Sequence, residues 1–90
     1  MTKNEQNFDA VIQNAATISD LYNRGEFLRA NLDLSDLLTV ITKMFNILTV
    51  DQQYQFRNFV SQIFECQKRK DYLGIADYLR FELPYILTHS

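Results

Sequence analysis

Histidine and cysteine occur once each in the 90 residues, proline once, glycine twice and tryptophan not at all. Each shortage closes off a class of chemistry. A lone Cys66 leaves no partner for an intramolecular disulfide, and no second Cys or His stands ready to complete a tetrahedral metal site. The Glu-x-x-His pair of di-metal helical bundles is missing as well. Gly25 and Gly74 are isolated, so no glycine-rich phosphate cradle is available. Nucleophilic catalysis needs a nucleophile, a base and an orienting group, and the only imidazole, His89, stands one residue from the end of the chain. These absences predict a protein that is not an enzyme and carries no cofactor.

Charge of one sign is also lacking. Nine Lys and Arg against eleven Asp and Glu give a formal net charge of -2, with both signs mixed along the chain. A duplex-binding protein would present a basic face, so no nucleic-acid partner is expected. The one dense basic cluster, Lys68-Arg69-Lys70, reads as a helix C-terminus, where cations complement the last carbonyls. No run of about 18 apolar residues exists to span a bilayer. The start, Met1 to Asn7, is polar and has no apolar stretch of a signal peptide. Together these predict a cytoplasmic protein with no membrane partner.

What the chain does have is core material. Hydrophobic residues make up 47 % and aromatics 13 %. At this length that suits one domain over residues 1–90, and disorder is not expected. The apolar residues recur at helical spacing. The stretch Glu26–Leu48 is the strongest case: Phe27, Ala30, Leu34, Leu37, Leu38, Ile41, Met44, Phe45 and Leu48 share one stripe. Val40 and Ile47 widen it to about half the circumference at roughly 100° per residue, which predicts a hub touching several helices. Asn31 to Ser35 is its weak point, because Asn, Asp and Ser compete for backbone hydrogen bonds. Either the helix runs straight through, the reading favoured by phase, or it restarts at Asp33 or Ser35.

A first helix is predicted from near Gln6 to about Tyr22, stopped at Asn23-Arg24-Gly25. Thr49-Val50-Asp51-Gln52 reads as a capping box, starting a third helix at Val50 with a stripe of Phe56, Phe59, Val60, Ile63, Phe64 and Cys66 and an end near Arg69. Cys66 on that stripe is expected to be a buried structural thiol. Asp71 would cap a fourth helix with Tyr72, Ile75, Ala76, Leu79, Leu83 and Ile86 inward, kinked or ended by Pro84, and Thr88-His89-Ser90 are expected to fray. Short connections favour antiparallel neighbours, hence an all-α, up-down-up-down four-helix bundle.

Two features of the last helix exceed what a core needs. Tyr78, Phe81 and Tyr85, at i, i+3 and i+7, form a second apolar face opposed to the Ile75 and Leu79 side. They either pack on the first helix or form an exposed aromatic ridge for a protein partner, with Tyr54 on the third helix as a further candidate. Glu82 borders the buried stripe and needs a partner there, with Arg57 or Arg29 as candidates.

The segment Asp71-Tyr72, Ile75-Ala76-Asp77, Leu79 and Phe81-Glu82-Leu83 with its nearby proline resembles the closing segment of small uncharacterised all-helical bacterial proteins, as does the Gly25-Glu26 junction before a long apolar helix. Pro84 follows Leu83 directly, where the pattern would place another residue between. The resemblance implies a bacterial origin and a helical bundle, and brings no catalytic residue. The function expected from the whole chain is non-enzymatic protein–protein interaction through the last helix, as a homodimer or small adaptor. The alternative is a small immunity, antitoxin-like or inhibitor protein that neutralises one target.

Overall fold

A computed structural model of the chain describes residues 3–89. They form α1 (Lys3–Asn23), α2 (Phe27–Lys43), a 3-10 turn (Phe45–Ile47), α3 (Val50–Arg69), α4 (Tyr72–Asp77), a π turn (Tyr78–Glu82) and α5 (Leu83–Thr88). The fold is all-α, with no strand among the described residues. The backbone stays helical from α4 through the π turn into α5, so residues 72–88 act as one last helix. No helix among the described residues is long and apolar enough to cross a membrane. Met1, Thr2 and Ser90 of the expected polar start and frayed end lie outside the described residues.

The core is a narrow seam rather than broad stripes. Ala30, Leu34, Leu37 and Ile41 on α2, and Phe56, Phe59, Ile63 and Cys66 on α3, are buried at alternating spacings of four and three, the rhythm of helices packed side by side. Val11, Ala15, Ile18 and Tyr22 follow the same rhythm on α1.

That rhythm corrects the reading of α2 as the hub. Phe27, Val40 and Ile47 are exposed, and the helix ends at Lys43 rather than continuing to Leu48. The 3-10 turn then tightens the chain so that Leu48 and Thr49 can adopt the extended backbone the capping box requires. Gln53 closes the turn, its Nε2 donating to the carbonyls of Phe45 at 3.0 Å and Leu48 at 3.3 Å. The helix is continuous past Asp33, which pairs with Arg29 at 3.6 Å. Asn31 does not break it either, because its Oδ1 accepts the Tyr22 hydroxyl at 2.5 Å.

The central element is instead α1. It packs against α2 on one side and along the whole last helix on the other, while α3 rests on the last helix. The backbones of α2 and α3 do not pack as a pair. Four helices thus enclose the core along three edges, and the α2–α3 edge stands open.

Helix ends follow local chemistry. Gly25, at φ 80°, ends α1: its N–H donates to Tyr22 O and the Glu26 N–H to Leu21 O, a Schellman closure. Lys70 at φ 56° closes α3 by the same bond pattern to Gln67 and Cys66, which accounts for the basic run as a helix end. Asp71 caps α4 by accepting the Gly74 N–H at 3.0 Å. A Cβ on Gly74 would lie 2.6 Å from the Asp71 carboxylate, so the glycine that weakens this first turn is what lets its cap close.

Candidate functional site

Pro84 does not end the last helix, which runs on to Thr88. It has no N–H, and in an α-helix its ring would collide with the Arg80 carbonyl. The chain answers with the π turn, in which the Leu83 N–H donates to Tyr78 O, five residues back. One residue is thereby inserted, which sets every later side chain back by about 100° round the axis. In an unbroken α-helix Glu82 would fall about 20° from Ile75, at the border of the buried seam. The inserted residue turns it out to solvent and brings Leu87 inward, while Leu83 stays on the seam, and both leucines are buried. The expected Glu82 ion pair is therefore not formed: Arg29 pairs with Asp33, and the Arg57 guanidinium lies 5.3 Å from the centre of the Phe45 ring.

The same shift sorts the aromatic residues. At about 100° per residue an unbroken helix would hold Tyr78, Phe81 and Tyr85 roughly 110° round from the Ile75–Leu79 seam, on a flank rather than the far side. Tyr78 precedes the inserted residue and stays on that flank, half-buried, its ring meeting Phe59 edge to face at 6.3 Å. Phe81 and Tyr85 follow it and are carried to the solvent side, 66 % and 53 % exposed. Neither is buried in the core. Tyr85 stacks on the His89 imidazole at 4.0 Å, and the Thr88 hydroxyl donates to Pro84 O at 2.8 Å, which keeps the chain end helical to Thr88. Asp77 and Glu82 flank Phe81. Tyr54 is 66 % exposed on α3, but it shares no aromatic contact or cleft with the other three among the described residues.

The ridge stands on a fixed base. Beneath it Ile75, Leu79 and Leu83 are fully buried. Arg80 reaches across to α1, pairing with the Asp20 carboxylate and donating to Ala16 O at 3.4 Å. The buried Ser19 hydroxyl donates to Ala76 O at 2.9 Å, just before the π turn. At the far end, buried Gln52 spends both halves of its amide: Oε1 accepts the Thr49 N–H at 2.9 Å, and Nε2 donates to Ile86 O at 3.1 Å. That side chain ties the start of α3 to the end of α5.

A second surface lies on the open edge between α2 and α3. Phe64, expected in the core, is 51 % exposed there, because the buried line of α3 runs through Gln52, Phe56, Phe59, Ile63 and Cys66 and leaves Val60 and Phe64 beside it. The groove encloses about 640 Å³, with Leu34, Leu38, Phe56, Val60 and Phe64 forming its apolar wall. Lys43 stands at one end, and Asn31 and Gln67 at the other.

Among the described residues two titratable groups are shifted, both by burial. Desolvation pushes the Tyr22 phenol up to about 12. It also pushes the Cys66 thiol up, which with its buried position makes Cys66 a poor nucleophile. Among the described residues no group of three or more His, Cys, Asp or Glu side chains converges to hold a metal ion. Comparison with family models, with curated proteins and with solved structures finds no match to this chain.

Proposed function

We propose that this chain is a non-enzymatic interaction module that associates with a second copy of itself through Phe81 and Tyr85, with Tyr78 at the edge of the contact. One observation carries the reading: a proline-driven π turn turns two large aromatic rings out to solvent on a helix whose other side is locked into the core. π turns of this kind recur at functional sites. Aromatic residues are enriched at the buried centres of interfaces, where each ring removes roughly 150–250 Å² from water. A two-fold dimer suits a single continuous ridge, since each copy presents the same patch to the other. The reading extends to the arrangement of the helices, alternately up and down. Closures at Gly25 and Lys70 that leave only a few residues between helices favour it.

The test is Phe81→Asp, with solution mass followed by light scattering over a range of concentrations. Truncating an interface anchor costs about 2 kcal/mol or more, a weakening of about 30-fold. The expected result is a wild-type dimer and a variant monomer with unchanged helix content and melting temperature. A wild type that stays monomeric at all concentrations, or a variant that unfolds, overturns the reading.

A further inference from the structure

We propose that the groove between α2 and α3 is a binding site for a single-chain anionic amphiphile, an alkyl carboxylate of about 14 carbons. The site is separate from the aromatic ridge and does not depend on it.

The dimensions select the occupant. Along α2 the lining runs from Asn31 to Lys43, about 18 Å at 1.5 Å per residue. A volume of 640 Å³ over that length leaves a mean section of about 36 Å². An α-helix about 10 Å across has a section of roughly 80 Å², so it would seat only one face here and leave most of its girth in solvent. An alkyl chain is about 4–5 Å across, judged by carbon–carbon contact distances, and fits with room to adjust. With a C–C bond of 1.52 Å and a tetrahedral angle, an extended chain advances about 1.25 Å per carbon, so 18 Å accommodates about 14 carbons.

The wall chemistry agrees. Leu34 and Phe56 form a buried floor, and Leu38, Val60 and Phe64 line the sides. The two threonines on the α2 rim offer no free donor: Thr39 Oγ1 donates to Ser35 O at 3.0 Å and Thr42 Oγ1 to Leu38 O at 2.8 Å. Asn31 at the far end already accepts from Tyr22. The remaining polar lining, Ser35, Gln67 and the Asn31 amide nitrogen, is uncharged, so the charge of the groove is concentrated at one end. Lys43 stands there, and the groove continues past Thr42, Phe56 and Val60 into a smaller recess walled by Phe45 and Arg57. Neither Lys43 nor Arg57 is ion-paired among the described residues. Two cations at one end of an apolar slot match a ligand with one anionic head and one long tail.

The probe is myristate, titrated below its micelle concentration and followed by calorimetry and by thermal melting. The expected result is saturable uptake of one molecule per chain with a raised melting temperature. Octanoate, six methylenes shorter, should bind more weakly by about a hundredfold or more. Tetradecyltrimethylammonium, with the same tail and the opposite charge, should lose about tenfold or more, as should the Lys43→Glu, Arg57→Glu double variant with myristate. Phe64→Asp should abolish uptake while keeping wild-type helix content, since Phe64 is half exposed, and Phe81→Asp should leave uptake unchanged. The proposal is overturned by no saturable uptake in the folded wild type, by more than one molecule per chain, or by equal binding of the cationic amphiphile. Unimpaired uptake in Phe64→Asp overturns it too, as does a groove that takes an amphipathic Leu/Glu peptide helix in place of myristate.

Discussion

Replacing Gln52 by Glu changes one NH2 to an oxygen and little else, yet it should strike the joint between the two ends of the fold. Gln52 is 5 % exposed. Its Oε1 completes the capping box with Thr49, and its Nε2 serves the Ile86 carbonyl at 3.1 Å and lies 3.5 Å from that of Leu87. Glu keeps the first role and loses the second. Above its pKa it also turns a carboxylate oxygen toward two carbonyl oxygens in a buried setting. The lost bond costs about 1 kcal/mol and the orphaned, repelled carbonyls about 1–3 more, so a total of about 2–4 kcal/mol is expected at pH 7.5. Against a stability of roughly 5–13 kcal/mol for 90 residues that is a large loss. Its pH dependence is the signature. Burial and facing carbonyls raise the folded-state pKa of the new carboxyl above the unfolded value of about 4.3. The penalty is therefore complete above the folded pKa. It shrinks as pH falls toward about 4.3, because the protonated acid can again donate to Ile86. Urea unfolding of wild type and variant in parallel from pH 7.5 to 4.5 reads this directly, and Gln52→Ala provides a control whose deficit stays flat. A Glu variant within about 0.5 kcal/mol of wild type at pH 7.5, or a deficit that does not change with pH, would refute the joint.

The raised Tyr22 phenol gives an alkaline counterpart. Its pKa of about 12 in the fold, against about 10 unfolded, leaves stability intact below pH 10 and removes up to about 2–3 kcal/mol as pH rises from 10 to 12. Tyr22→Phe should remove that part of the alkaline loss, at the expense of about 1 kcal/mol at neutral pH from the bond to Asn31, and an alkaline unfolding profile identical to wild type would contradict it. Cys66 should resist a thiol-specific disulfide reagent in the folded protein and react fully in urea; reaction at the rate of a free thiol under native conditions would show that its burial is wrong.

Much of the fold is legible in the residues because its devices are local. The capping box at Thr49 and Gln52, the Gly25 stop and the Asp71 cap each join groups no more than five residues apart, through side chains at Thr49, Gln52 and Asp71 and through the backbone at Gly25. α2 departs from the hub its apolar periodicity predicts for a different reason. Periodicity marks which residues are apolar, and Phe27, Val40, Ile47 and Phe64 are apolar yet partly open to solvent. The narrower rhythm of fours and threes separates them from the core, and on α3 it reaches back to Gln52. A polar residue on a buried seam was the one sign of the α3–α5 tie.

The ridge was partly legible. Tyr78, Phe81 and Tyr85 stand out by spacing alone, but their fates differ because one residue is inserted between the first and the other two. Pro84 advertises a disturbance without saying which kind. The carboxylate of Glu82 decides it, because an unbroken helix would set that charge at the border of the seam, while the π turn buries Leu87 instead. The open groove had no sequence signal, since it arises from where α1 places α2 and where the last helix places α3.

The central claim is that the face carried outward by the π turn is where a second copy binds. A benzophenone-bearing phenylalanine at position 81, irradiated in solution and followed by peptide mapping, tests it most directly. The account predicts a covalent dimer whose linkages fall on residues 78–85 of the other copy. Linkages confined to the same chain, linkages to the α2–α3 groove of another copy, or no covalent dimer at concentrations where the protein is folded would contradict it.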